Sequence, residues 1–93
     1  MRRERMREII EEHRFSLELH DIIRQSRRAD DFIDGAKWTL ARNPQAGKRI
    51  GTSDVWFLAM EEIPDFLPVV LYYTFDENFV NFLSIQETLY PPR

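Results

Sequence analysis

The chain has 93 residues, enough for one small domain, and its 43% hydrophobic and 31% charged residues exclude a disordered tail. It has no cysteine, which excludes disulfides, thiol nucleophiles and thiolate zinc sites and is compatible with the cytoplasm. No apolar run approaches the roughly 20 residues that cross a bilayer, and the net charge of −3 conceals an arginine-rich first third and an acidic second half.

The N-terminal segment, residues 1–25, is predicted to be helical. Apolar residues recur at helical spacing among good helix formers, and interleaved arginines and glutamates allow i,i+4 pairs. FSLEL, residues 15–19, alternates apolar and polar residues as a strand does, yet Phe15, Leu19 and Ile22 also fit one helical face. We prefer a helix that continues to about residue 25, and a strand at 15–19 is the alternative.

A second helix is predicted over residues 27–43, because its apolar residues form one amphipathic stripe. Asn43 stands before Pro44, where the α conformation is disfavoured, so the helix should end there. A loop with two glycines follows. The stripe consists of Ala29, Phe32, Ile33, Ala36 and Leu40.

From residue 54 to residue 86 the sequence predicts three antiparallel strands. DVWFLAM, PVVLYYTF and FVNFLSI are rich in β-branched and aromatic residues, and DEN is short enough to make a hairpin of the last two. Residues 87–93 form a tail. The predicted fold is therefore α+β: one domain with N-terminal helices on one face of a small, three- to four-stranded antiparallel sheet.

Both faces of the predicted strands are apolar, and the helices can cover only one of them. Strict alternation leaves a contiguous patch on the other face, which is typical of a partner-binding surface. The alternative is that residues 1–25 wrap round the sheet or that FSLEL adds a strand. The patch consists of Trp56, Leu58, Val70, Tyr72, Val80 and Phe82.

Trp38 lies on the polar side of the second helix, about 180° from the apolar stripe at roughly 100° per residue. It either packs under the first helix, which we prefer, or anchors a partner protein. His13 and His20 have no third ligand in a pattern that indicates a metal site, and we expect neither a metal nor a cofactor.

The run RRADDFIDGAKWTLARNPQAGKRIG, followed by VWFLAMEEIPDFLPVVLYYTFDENFVNFLSI, resembles the RelE/ParE toxin superfamily of type II toxin–antitoxin and plasmid-stabilisation systems. The resemblance covers roughly residues 27–87. It implies a helical pair on a small antiparallel sheet, a cytoplasmic bacterial protein, and a cognate antitoxin that packs over its surface. RelE-like members cleave messenger RNA on the ribosome, whereas ParE-like members inhibit DNA gyrase. The family commonly begins with a strand, and here a helix is predicted instead.

The resemblance also suggests which of these two activities to expect. RelE-like toxins typically carry an arginine three residues before the strand tyrosine, where this chain has Val69 and Val70. Gln86 and Glu87 follow the last strand, where the family often has a histidine or tyrosine. We therefore expect a toxin-like protein that acts by protein–protein binding and lacks the RelE-type ribonuclease residues.

Two alternatives remain. The first is a ribosome-dependent mRNA endonuclease, whose weak catalytic candidates are Lys48 and Arg49 in the glycine-bearing loop and the strand phenols Tyr72 and Tyr73. Solvated loop charges and packing aromatics are the more ordinary interpretations of these residues. The second alternative is a non-toxic domain that self-associates as a homodimer.

Overall fold

The structure is a computed structural model, and it describes residues 6–25, 28–60 and 68–88. The sheet has the strand order β1-β5-β4-β3-β2, in which β1 is parallel to β5 and the other neighbours are antiparallel. The predicted α+β class is confirmed. The elements are β1 (Glu8–Glu11), α1 (His13–Gln25), α2 (Arg28–Arg42), a 3₁₀ turn (Pro44–Ala46), β2 (Lys48–Arg49), β3 (Trp56–Met60), β4 (Val69–Phe75) and β5 (Phe79–Glu87).

The prediction of one helix through the N-terminal segment is wrong for residues 8–11, which form β1. The backbone N–H of Glu8 donates to Asn78 O at 2.9 Å, and that of Glu12 donates to Phe82 O at 3.0 Å, so this segment pairs with the last strand. Ile9 packs against the core. A parallel ladder to a strand about 70 residues away has outweighed local helix propensity. Residues 15–19 are helical, as preferred.

The second helix and the last three strands agree with the sequence pattern. α2 ends at Arg42, and the side chain of Asn43 then accepts a hydrogen bond from the Gln45 N–H at 3.2 Å. β3, β4 and β5 form the predicted antiparallel meander. Over the described residues the sheet nevertheless has five strands and is mixed, because β1 and β2 extend it at its two edges. Residues 89–93 of the predicted tail lie outside the described residues.

The core lies between the two helices and one face of the sheet, which we call the near face. Phe15 of α1 meets Phe82 of β5 in an edge-to-face contact with ring centroids 5.2 Å apart. Lys37 of α2 pairs with Glu11 of β1 at 2.6 Å and ties the helix to the sheet edge. No helix in the described segments is long and apolar enough to cross a membrane. The core consists of Phe15, Ile22, Ala29, Ile33, Ala36, Leu40, Val69, Leu71, Tyr73, Val80, Phe82 and Ile85.

A β-bulge in β5 contradicts the predicted positions of two of the six residues of the apolar patch. Tyr72 pairs with Ser84 but Tyr73 pairs with Phe82, so Leu83 is an extra residue. The alternation of side chains therefore shifts along the strand. Val80 and Phe82 consequently face the helices and are fully buried in the core, together with Ile85 beyond the bulge.

The other four residues of the predicted patch do not share one face of the sheet. Trp56 and Leu58 lie opposite Tyr73 and Leu71, on the near face, where they pack against the core. Val70 is on the far face, the face turned away from the helices, but its side chain is fully buried. Of the six patch residues, only Tyr72 is on the far face and partly exposed, so the predicted six-residue open surface is wrong.

Candidate functional site

The structure does not bring the two loop cations together. Lys48 and Arg49 form β2, and they pair with Phe57 and Trp56 respectively. Consecutive residues of a strand point to opposite faces, so the two side chains diverge. The Arg49 guanidinium turns back on its own loop and donates to Ser53 O at 2.6 Å. A shared anion site built from these two cations is therefore not formed.

Tyr73 is buried, and its hydroxyl group acts both as a hydrogen-bond donor and as an acceptor. The hydroxyl donates to Pro44 O at 2.6 Å and accepts from the Gly47 N–H at 3.2 Å. Burial raises the pKa of Tyr73 to about 12, and the hydrogen bond from Gly47 partly opposes this rise. A neutral phenol in these contacts connects the sheet to the turn after α2. Its position fits a structural role better than proton transfer at neutral pH.

The raised pKa of Tyr73 makes stability fall at alkaline pH. The folded protein holds this proton more tightly than the unfolded chain, whose tyrosine has the ordinary value of 10.0. The contribution of the protonated Tyr73 hydroxyl to the free energy of unfolding is fully present below pH 10 and is lost as the pH rises through about 12. Urea unfolding of the wild type and Tyr73→Phe should give a stability difference that shrinks above pH 10. A difference independent of pH would contradict the assignment.

Tyr72 and Lys48 share the far face but are not neighbours. Phe57 stands between them in the same cross-strand row, since it pairs with Lys48 on one side and with Tyr72 on the other. Strands are about 4.8 Å apart, which separates the two residues by roughly 10 Å at the backbone. The four candidate catalytic residues thus divide into two pairs on opposite faces of the sheet.

A groove opens where β4 extends past the start of β3, and its volume is about 470 Å³. Three charged residues line it: Arg49, Asp54 and Asp76. The Asp76 carboxylate accepts from the N–H groups of Asn78 and Phe79 at 2.8 and 2.9 Å. These two bonds are the main reason that the pKa of Asp76 is lowered, and this carboxylate is therefore ionised at neutral pH.

Two aromatic rings and two neutral polar side chains complete the groove. Trp56 and Phe75 meet edge to face, with ring centroids 5.4 Å apart. The Asn81 side-chain amide donates to the Thr74 hydroxyl at 3.4 Å, which leaves the Asn81 side-chain carbonyl as an acceptor. Sequence reasoning missed this groove. The polar turn after Phe75 can be recognised in the sequence, but the residue at which β3 starts, which leaves this turn exposed, cannot.

Trp38 does not pack under the first helix, so the preferred interpretation of this residue is wrong. Its side chain is 63% exposed on α2. The Arg42 guanidinium lies over the indole ring at 4.0 Å from the centroid and also donates to Trp38 O at 2.9 Å. The pair forms a partly apolar surface on the helix.

His13 and His20 are exposed on α1. Within the segments 6–25, 28–60 and 68–88, no group of three or more histidine, cysteine or acidic residues is arranged to hold a metal ion. Comparisons of the chain with protein-family models, curated proteins and solved structures give no match. What the protein does is therefore inferred from its sequence pattern, its fold, the groove and the Trp38 surface.

Proposed function

We propose that this chain is a RelE/ParE-like, toxin-like component of a type II toxin–antitoxin (plasmid stabilisation) module, and that it acts by protein–protein binding. The observation that carries the proposal is the order of the fold: a strand, two helices on one face, then an antiparallel meander. The resemblance of residues 27–87 implies a helical pair on such a sheet, and the family commonly begins with a strand. The sequence suggested that this chain begins with a helix, unlike the family. The structure instead has the strand β1 before the two helices.

The positions of the candidate catalytic residues favour binding over RNA cleavage. Cleavage through the 2′-hydroxyl requires a base, an acid and cations close to one phosphate. Val69 and Val70, which stand where RelE-like toxins carry arginine, are buried in the sheet. The Tyr73 hydroxyl is occupied by two backbone partners, and Lys48 diverges from Arg49.

The surface that best fits a protein partner is the outer side of α2. Tryptophan and arginine are the residues most enriched at energetic hot spots of interfaces. Among the residues that the structure describes, Trp38 is the most exposed large hydrophobic side chain, and the Arg42 guanidinium already packs on its ring. A pre-ordered aromatic side chain loses less conformational entropy when a partner covers it. The partner in this proposal is the cognate antitoxin.

The first test is growth of a bacterial host after induction of this chain, with and without the product of the adjacent reading frame. We expect arrest that the neighbour's product relieves. Assays of translation and of DNA supercoiling on the arrested cells would then distinguish the ribosome from gyrase as the target. Normal growth together with no binding to the neighbour's product would contradict the proposal. Cleaved messenger RNA in the arrested cells would contradict the binding mechanism.

Trp38→Ala should weaken binding of the neighbour's product at least about tenfold, because hot-spot tryptophans contribute more than about 1.4 kcal/mol. Lys48→Ala is the control, since Lys48 is exposed on β2 at the sheet edge. Titration calorimetry gives both dissociation constants. Equal weakening of binding by the two variants, or an effect of Lys48→Ala alone, would contradict the proposal that the outer side of α2 forms the interface.

A further inference from the structure

Four residues form one line along the outer side of α2, away from the core, and we call this line the outer stripe. At roughly 100° per residue, all four lie within about 60° of one another around the helix. None of them is buried. The outer stripe consists of Asp31, Gly35, Trp38 and Arg42. It therefore has an acid at one end, a base at the other, and a glycine beside an indole between them.

The fold itself gives no reason for a glycine at position 35. A methyl group on Gly35 would meet no atom within 4 Å, and among the described residues the glycine with a positive φ is Gly51. Glycine is also the least favourable residue in a helix interior after proline. Its missing side chain does leave a short stretch of helix backbone exposed, which a large side chain of another molecule can approach closely.

The outer stripe is complementary to itself in the antiparallel direction. Positions 31 and 42 share one midpoint along α2 with positions 35 and 38. When two α2 helices pack antiparallel about this midpoint, Asp31 of each copy lies opposite Arg42 of the other. Trp38 of each copy then lies opposite Gly35 of the other, where no side chain obstructs it. A parallel arrangement would bring like charges together, so charge favours the antiparallel one.

The two charged ends of the outer stripe are able to form this pair. The Asp31 carboxylate has no hydrogen bond or ion pair among the described residues. A guanidinium has five N–H donors, so Arg42 can bind a carboxylate in addition to the ring and the carbonyl of Trp38 that it already contacts. Antiparallel packing also places the positive N-terminal end of each helix dipole beside the negative C-terminal end of the other.

We infer that a second copy of this chain binds the outer stripe, in a symmetric dimer whose two α2 helices pack antiparallel. Each copy contributes the same surface, as a closed two-fold dimer requires. α2 has 15 residues and is about 22 Å long, and one pair of such helices buries less than the roughly 800 Å² per partner of a standard interface. The dimer is therefore weak and forms at high protein concentration.

The dimer regulates the surface that we assign to the antitoxin, because one Trp38 side chain cannot be covered by two partners at once. This consequence rests on the proposed function, whereas the dimer itself does not. An antitoxin that binds with a dissociation constant well below about 100 µM displaces the second copy. The antitoxin and the second copy thus compete for Trp38.

Sedimentation velocity of the full chain tests the dimer, over concentrations from about 10 to about 500 µM that bracket a dissociation constant on the order of 100 µM. We expect a reversible monomer–dimer equilibrium in this range. Asp31→Arg and Arg42→Asp should each weaken the dimer at least about tenfold, because each variant places like charges opposite one another twice. An equimolar mixture of the two variants should associate again, since both charge pairs of the mixed dimer are then opposite in sign. Circular dichroism establishes that each variant is folded.

Asp30→Arg is the matched control for Asp31→Arg. It reverses the same charge in the same turn of α2, but its side chain points about 100° away from Asp31 and lies outside the outer stripe. It should change the dissociation constant of the dimer by less than about threefold, as expected for an exposed charge without a close partner. Gly35→Gln should weaken the dimer at least about tenfold, because its side chain takes the space that Trp38 of the other copy requires.

Three results would each overturn the inference. They are a wild-type chain that stays monomeric at the highest concentration, a mixture of Asp31→Arg and Arg42→Asp that stays monomeric, and equal weakening by Asp30→Arg and Asp31→Arg. The dimer is measured on the chain alone, whereas growth arrest and binding of the neighbour's product are separate readouts. Failure of the dimer is therefore distinguishable from failure of the proposed function.

Discussion

Gly47→Ala is expected to destabilise the fold by about 3 kcal/mol, near the upper end of what overpacking costs. A methyl group on Gly47 would overlap two oxygens at once, the backbone carbonyl of Phe57 and the hydroxyl of Tyr73. The first belongs to β3 and the second to a buried ring, so neither can move aside without displacing the sheet. Urea or thermal unfolding followed by circular dichroism measures the loss.

The chain provides its own control for this substitution. Gly35 lies on the exposed side of α2, and a methyl group there meets no atom within 4 Å. Gly35→Ala should therefore stabilise the protein by about 0.5–1 kcal/mol, since glycine in a helix carries an entropic cost. The two Gly→Ala changes are chemically identical and should differ in sign. Stabilisation by both substitutions, or no effect of Gly47→Ala on stability, would contradict the close approach of the turn at Gly47 to the sheet.

The elements that the sequence predicted well are those fixed by neighbours along the chain. α2 has its stripe, its two first-turn aspartates and the Asn43–Pro44 stop within one continuous segment. The hairpin of β4 and β5 has its turn, in which Asp76 accepts from the N–H groups of Asn78 and Phe79. Local rules of periodicity, capping and turn chemistry suffice for both.

The features that were missed depend on residues far apart in the sequence. β1 is a strand because β5 offers it a parallel edge, and nothing in EIIE itself distinguishes this from a helix. The bulge at Leu83 is invisible to any rule of strict alternation, yet it moves Val80 and Phe82 from the predicted patch into the core.

The candidate site also combines features that local sequence predicts with features that depend on distant residues. The position of Trp38 on the polar side of α2 follows from the helix wheel, but the preferred prediction that it packs under the first helix is wrong, because its side chain is 63% exposed. The groove was not predictable, because it requires the register that pairs Trp56 with Tyr73 and leaves Thr74 and Phe75 beyond β3. Register is set by tertiary packing as well as by pattern.

Tyr73→Phe is expected to cost about 2 kcal/mol, because the change removes one atom that satisfies two backbone groups. Without the hydroxyl, Pro44 O loses its 2.6 Å donor and the Gly47 N–H loses its acceptor. Tyr72→Phe is the matched control, since the Tyr72 hydroxyl has no hydrogen bond among the described residues. The Tyr72→Phe change should alter stability by less than about 0.5 kcal/mol. Equal losses in the two variants would contradict the structural role of Tyr73.

Combining the two large-effect substitutions tests whether Gly47 and Tyr73 act as one contact. In a Tyr73→Phe background, a methyl group at position 47 still meets the Phe57 carbonyl but no longer meets a hydroxyl. Gly47→Ala should therefore cost about 1 kcal/mol less in that background than in the wild type, since residues in direct contact couple by about 0.5–3 kcal/mol. Strictly additive losses in the double-mutant cycle would mean that the turn and the sheet are held together by something other than this contact.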